Sequence, residues 1–210
     1  MFDGPFAGSI ADRLQTVWAS IKRWYDKLQV LHRLSQITLE MFRHAGSYAQ
    51  LKGTAVECSH LLPVLAALCE ELGCQTERDQ HRLRALKSLA GFYRRARVSP
   101  LAPSRAVAGE VVALVDTFLL HYHWLGKVAM DHGRLLYNFP IKFHYLWHIA
   151  RNMRFQSPVS VWCYGFESFV GRIVRCAQSC TAGTSMSLIS HKVAMNFACA
   201  FDLYLQQHGQ

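Results

Sequence analysis

The sequence predicts an all-α protein, an irregular bundle of about seven helices with no substantial sheet. Three observations predict it. Apolar residues recur at three- and four-residue steps along most of the chain, which is the helical period. There is no β-α-β alternation, no Asn-Gly hairpin turn and no Gly-rich phosphate loop. At 210 residues and 51% hydrophobic, the chain is too apolar for disorder and long enough to bury a sizeable core.

The first helix is expected over residues 8 to 44. Leu14, Val17, Trp18, Ile21, Trp24, Tyr25, Leu28, Leu31, Leu34 and Ile37 form one stripe, with Arg43 and His44 suiting its end and Gly46 supplying the stop. A loop at Lys52-Gly53 leads to a second helix near 56 to 72, with Gly73 as C-cap. Pro63 should kink that helix or mark its true start. Thr76 reads as an N-cap, with Asp79 completing a short-armed capping box. The third helix, to about Arg97, carries Arg78, Arg82, Arg84, Lys87, Arg94, Arg95 and Arg97.

Val98-Ser-Pro-Leu-Ala-Pro103 is the clearest break, because each proline pushes its predecessor out of the α region. It divides residues 1–98 from residues 99–210, and the two parts are expected to pack as one unit. Ser104 caps a fourth helix running to about Gly133, and Pro140 opens a fifth over 140 to 154. Residues 155 to 162 read as loop. A sixth helix covers about 164 to 180 and a seventh runs from Thr184 to about 207.

Composition limits the function classes. Lys+Arg 23 against Asp+Glu 14 gives a formal charge of +9, a field that attracts nucleic acid or another acidic surface. The cysteines Cys58, Cys69, Cys74, Cys163, Cys176, Cys180 and Cys199 stand singly, with no C-x-x-C pair. That spacing fits neither a zinc ribbon nor a disulfide framework and predicts a reducing, intracellular setting, nuclear or cytoplasmic. The start has an acid at Asp3 and no basic region before an apolar run, so it does not read as a signal peptide. The apolar stretch from Ala106 to Met130 is interrupted by Glu110, Asp116, His121, His123 and Lys127. A membrane span would carry few or no charges, so no membrane partner is expected.

Candidate sites are few. His144 and His148, at i and i+4, share a helix face as two imidazole metal ligands would. The general base of the H-E-x-x-H motif is missing from H-Y-L-W-H. Glu167 is the one acid between Arg134 and Arg175. It reads as a first-turn acid favouring the helix dipole, as an ion-pair partner, or as a third ligand beside His144 and His148. His121 and His123 lie on different faces, and His60, His81, His132 and His191 have no partner in sequence. Nucleophilic catalysis has no positive support: there is no G-x-S-x-G. No cofactor is implied. Arg94, Arg95, Arg97, Arg151, Arg154, Arg172 and Arg175 are the candidates for phosphate contact.

The string Asn138-Phe-Pro-Ile-Lys-Phe-His-Tyr-Leu-Trp-His148, followed by Gly165-Phe-Glu-Ser-Phe-Val-Gly-Arg172, resembles the C-terminal part of cut-and-paste DNA transposases of the CACTA type. It is similar as well to related transposon-derived proteins of protists. Leu51-Lys-Gly53, Leu61-Leu-Pro-Val-Leu65 and His123-Trp-Leu125 follow that family's order of landmarks, so the resemblance covers about residues 50 to 205. It implies descent from an RNase H-like enzyme in which two Asp and one Glu hold two divalent metals. Glu167 would match the final Glu, and His144 and His148 the histidine pair. The strands that should carry the two Asp are missing, since Asp116 and Asp131 fall in a helical pattern. One carboxylate cannot assemble a two-metal site, so a divalent metal would require another chain segment or protein to complete it. The resemblance therefore implies a non-catalytic chain that associates with nucleic acid. The alternative is a helical protein-interaction module, and a metal-dependent enzyme is third.

Overall fold

The computed structural model describes residues 8–41, 48, 51, 53–161, 174, 177–181, 183 and 185–208. These are 73% helical and contain no strand, so the chain is all-α. It divides into two compact units, Met1–Val161 and Trp162–Gln210.

Helix α1, Ile10–Lys27, starts at a reciprocal capping box. Ser9 Oγ accepts from the Asp12 N–H at 3.2 Å, and the Asp12 carboxylate accepts from the Ser9 N–H at 3.0 Å. Leu14, Val17, Ile21 and Tyr25 form its buried face.

The helix ends at Lys27 and does not run to residue 44. Gln29 turns left-handed at φ 50°. The Val30 N–H donates to Tyr25 O at 3.0 Å and the Gln29 N–H to Asp26 O at 3.2 Å. That pair of bonds is a Schellman motif built on a residue other than glycine. Arg33 tightens the return, its Nε donating to Val30 O at 2.7 Å, while the Tyr25 hydroxyl accepts from the Leu34 N–H at 3.4 Å. The apolar spacing continues past the turn but no longer describes a helix: Leu31 is 86% exposed and Leu34 4%. A short 3-10 turn follows at Leu39–Met41.

Helix α2, Ala55–Glu71, starts at a second box, Thr54 with Glu57, and runs on through Pro63. Gly73 ends it at φ 74°, the left-handed position that glycine occupies without steric cost. Val17, Ile21, Tyr25, Leu34, Leu61, Val64 and Leu68 make one core cluster between α1 and α2. Arg23 pairs with Glu71 across its rim.

Helix α3, Glu77–Val98, has the Thr76–Asp79 box that the sequence predicts. Helix α4, Arg105–Asp131, has Ser104 as its cap, its Oγ accepting from the Val107 N–H at 3.3 Å. These two helices pack together more extensively than any other pair. Small side chains allow the approach: Ala85, Ser88 and Gly91 are buried on α3 and Ala108 on α4. A Cβ at Gly91 would stand 3.1 Å from Leu114 Cδ2. The proline-rich segment 98–103 therefore connects two closely packed helices within the first unit, and the chain divides instead between Val161 and Trp162.

Helix α5, Lys142–Asn152, begins two residues after Pro140. With Phe92, Val111 and Val115, its Ala150 and the following Met153 form a second core cluster. A 3-10 turn at Pro158–Val161 closes the unit, and the Ser157 N–H donates to Leu101 O at 2.8 Å.

In the second unit, residues 177–181 are helical and helix α6 spans Met186–His208. Cys180 is buried, and the Asn196 amide donates to its sulfur at 3.2 Å. No helix among the described residues is long and apolar enough to cross a membrane.

Candidate nucleic-acid interface

Between His132 and Val161 the sequence contains no aspartate or glutamate, while Arg134, Lys142, Arg151 and Arg154 supply positive charge. Helix α5 is the centre of this segment. It has no side-chain N-cap, and Lys142 opens its first turn where an acid would suit the dipole better. Packing must therefore hold it. Phe143 meets Phe118 at 5.3 Å and Tyr122 at 4.9 Å, ring centre to ring centre, both edge to face. Tyr122 also packs against Tyr137 and Phe139. Burial in this nest pushes the Tyr122 hydroxyl up to about 12.

Anchoring by that side leaves the other side of α5 bare. Ile141, Tyr145 and Ile149, at four-residue steps, are exposed, as is Phe155 just beyond the helix. Two of the cations lie beside rings. The Arg151 guanidinium sits 4.0 Å from the Trp147 ring centre, and that of Arg154 sits 4.4 Å from Phe155. Arg151 also approaches Asp116 of α4 at 3.7 Å, a loose and solvent-exposed contact worth little in water. A shallow depression of about 370 Å³, lined by Leu119, Phe143, His144 and Trp147, opens next to these groups.

The α3 arginines are separated by their surroundings. Arg94 is exposed and makes no ion pair or hydrogen bond with the described residues. Arg95 is bound to Glu110 of α4 at 2.7 Å. Arg97 donates to Ser59 Oγ of α2 at 2.6 Å and lies over Tyr93. Successive residues on a helix point about 100° apart, so these three meet solvent, α4 and α2 respectively. Arg172, Arg175 and Glu167 lie outside the described residues.

His144 and His148 do come together, Nε2 to Nε2 at 3.0 Å, with both rings exposed. At that distance the N–H of one ring reaches the bare nitrogen of the other, in whichever tautomer supplies it. Among the described residues no group of three or more His, Cys, Asp or Glu side chains is placed to hold an ion. The two-metal acid set implied by the transposase resemblance does not fit these residues: Asp116 faces Arg151, and Asp131 is the last residue of α4.

Two histidine pairs have no local signal in the sequence. His81 and His121 meet Nδ1 to Nδ1 at 3.1 Å between α3 and α4, and His32 and His60 are 5.2 Å apart edge to face. Burial, then His81 and Arg84, holds His121 below the usual imidazole range. Burial, then Arg97 and His32, does the same to His60. As the spacing predicts, His123 faces another way and packs its ring 5.6 Å from Phe139. The described cysteines Cys58, Cys69, Cys74, Cys180 and Cys199 are all free thiols.

The chain matches no family model, and neither a curated protein nor a solved structure shows significant similarity to it.

Proposed function

We propose that this chain associates with nucleic acid through the basic, aromatic side of α5, without cutting it. The observation that carries the proposal is the acid-free segment from His132 to Val161, with Lys142, Arg151 and Arg154 exposed and the two arginines beside aromatic rings. Guanidinium groups in such a field bind phosphate and release condensed counterions. Arg94, exposed and with no ion pair among the described residues, adds a cation from α3. Descent from a transposase-like ancestor belongs to the same proposal and rests on the string Asn138 to His148 and the order of landmarks around it.

Fluorescence anisotropy with a labelled oligonucleotide at about 50 and 200 mM salt tests this. Affinity should fall steeply with salt. Replacing Arg94, Arg151 and Arg154 with Gln should weaken binding and reduce the slope by about 0.7–0.9 per charge that contacts a phosphate. No binding by the wild type at the lower salt would end the proposal.

A helical protein-interaction module is the second reading, favoured by one observation. Ile141, Tyr145 and Ile149 repeat at the spacing of a helix face that seats a partner. Concentration-dependent sedimentation abolished by Ile149→Ser would support it.

A further inference from the structure

We infer that the nucleic acid bound at α5 is single-stranded, held by stacking of its bases on Tyr145 and Phe155. This rests on the nucleic-acid reading above and narrows it. Tyr145 is 57% exposed and Phe155 68%, so each offers a ring face to solvent where an apolar side chain gains nothing. Burying those faces against bases removes apolar area from water. Every base has such a face, and a duplex hides it inside its stack.

The neighbouring charge suits the same ligand. Arg154 lies against Phe155, so a cation stands next to that ring, as a base and its own phosphate would require.

The face is poorly equipped for a duplex. A helix that reads the major groove presents Arg, Asn or Gln toward base edges. The outward positions Ile141, Tyr145 and Ile149 are largely apolar, and Asn152 is the one amide on that stripe. Nor does any acid between His132 and Val161 repel a flexible polyanion that follows the surface.

The test compares a labelled single strand of about 16 nucleotides and mixed sequence, as DNA and as RNA, with its duplex. Anisotropy at low salt should show the single strand bound about tenfold more tightly. Tyr145→Leu and Phe155→Leu should each weaken single-strand binding about tenfold and change duplex binding less than about twofold. Tyr145→Phe, which keeps the ring, should retain the affinity. Both side chains are exposed, so circular dichroism should show the fold intact. Equal affinity for both forms, with the leucine variants indifferent, would overturn the stacking inference and leave phosphate binding standing. Failure to bind either form would overturn both. Leucine variants that alter self-association, and not binding, would assign the face to protein contact and also end the inference.

Discussion

His81 and His121 are 40 residues apart in sequence and meet Nδ1 to Nδ1 at 3.1 Å. Trp124 stacks on the His81 ring with centres 3.8 Å apart, and only 8% of His121 is exposed. Two imidazoles at that distance can share one hydrogen but cannot both carry charge without repulsion. Arg84 of α3 adds a further positive field. The most extensively packed pair of helices therefore encloses a group that resists protonation.

The first prediction follows from the sign of that shift. Folded His121 and His60 lie below the ordinary value of 6.5, so the unfolded chain takes up protons first as pH falls. The stability they contribute is fully present above about pH 6.5 and is lost as pH falls through the lower folded values. Urea midpoints should decline between about pH 7 and pH 5, before most carboxylates titrate. His121→Gln should flatten part of the decline. A midpoint constant over that interval would sink the argument.

The alkaline side has the opposite chemistry and a separate cause. Burial raises Tyr25 above 10.0 and Tyr122 to about 12. The unfolded chain loses those phenolic protons first as pH rises past about 10, so stability is present below that point and is lost above it. Absorbance titration should show Tyr25 and Tyr122, among the described tyrosines, ionising late and becoming ordinary in denaturant. Tyr122→Phe should remove one late transition and leave the other.

Gln29 gives a prediction about backbone alone. It holds φ 50° in the turn that ends α1, a conformation that costs a side-chain-bearing residue about 1 kcal/mol or more. Its amide recovers some of this by donating to Asp26 O at 2.8 Å. Gln29→Gly should raise stability by about 0.5–1 kcal/mol, the remainder going to the freer unfolded chain. Chemical denaturation measures it, and a destabilised variant would show that the amide bond outweighs the strain.

Much of the helical layout was legible because its signals are local. Thr76 with Asp79, Ser104, Gly73 and the proline pair at 100 and 103 each act within a few residues, and each lies at a helix boundary. The end of α1 was not legible. Its stop is a glutamine in a glycine position, fixed by Arg33 and Leu34 returning to Tyr25, and the apolar period continues through the turn. The candidate site divides in the same way. The cations and rings of residues 132–161 are visible in sequence, and so is the placement of His144 beside His148. Which arginine meets solvent depends on α2 and α4, which no spacing within α3 reveals. The histidine pairs His81–His121 and His32–His60 likewise exist only through packing.

Arg94 and Arg97 should therefore fail differently when replaced. Arg97 links α3 to α2 through Ser59 at 2.6 Å and lies over Tyr93, so Arg97→Gln should cost about 1 kcal/mol of stability. Ser59 keeps its own bond to Val56 O at 2.8 Å, so no buried hydroxyl proton loses its acceptor and the loss stays modest. Arg97 also helps to depress His60. Its removal should move the His60 proton titration, followed by NMR, back toward 6.5. Arg94 touches none of this, and Arg94→Gln should leave stability within about 0.5 kcal/mol while weakening nucleic-acid binding and its salt slope. Arg95→Gln breaks the exposed pair with Glu110 and should cost under about 1 kcal/mol. If Arg94→Gln binds like the wild type, α3 takes no part in the interface and the phosphate contacts belong to α5. If Arg97→Gln is as stable as the wild type with His60 unmoved, the bridge to Ser59 does not persist in solution.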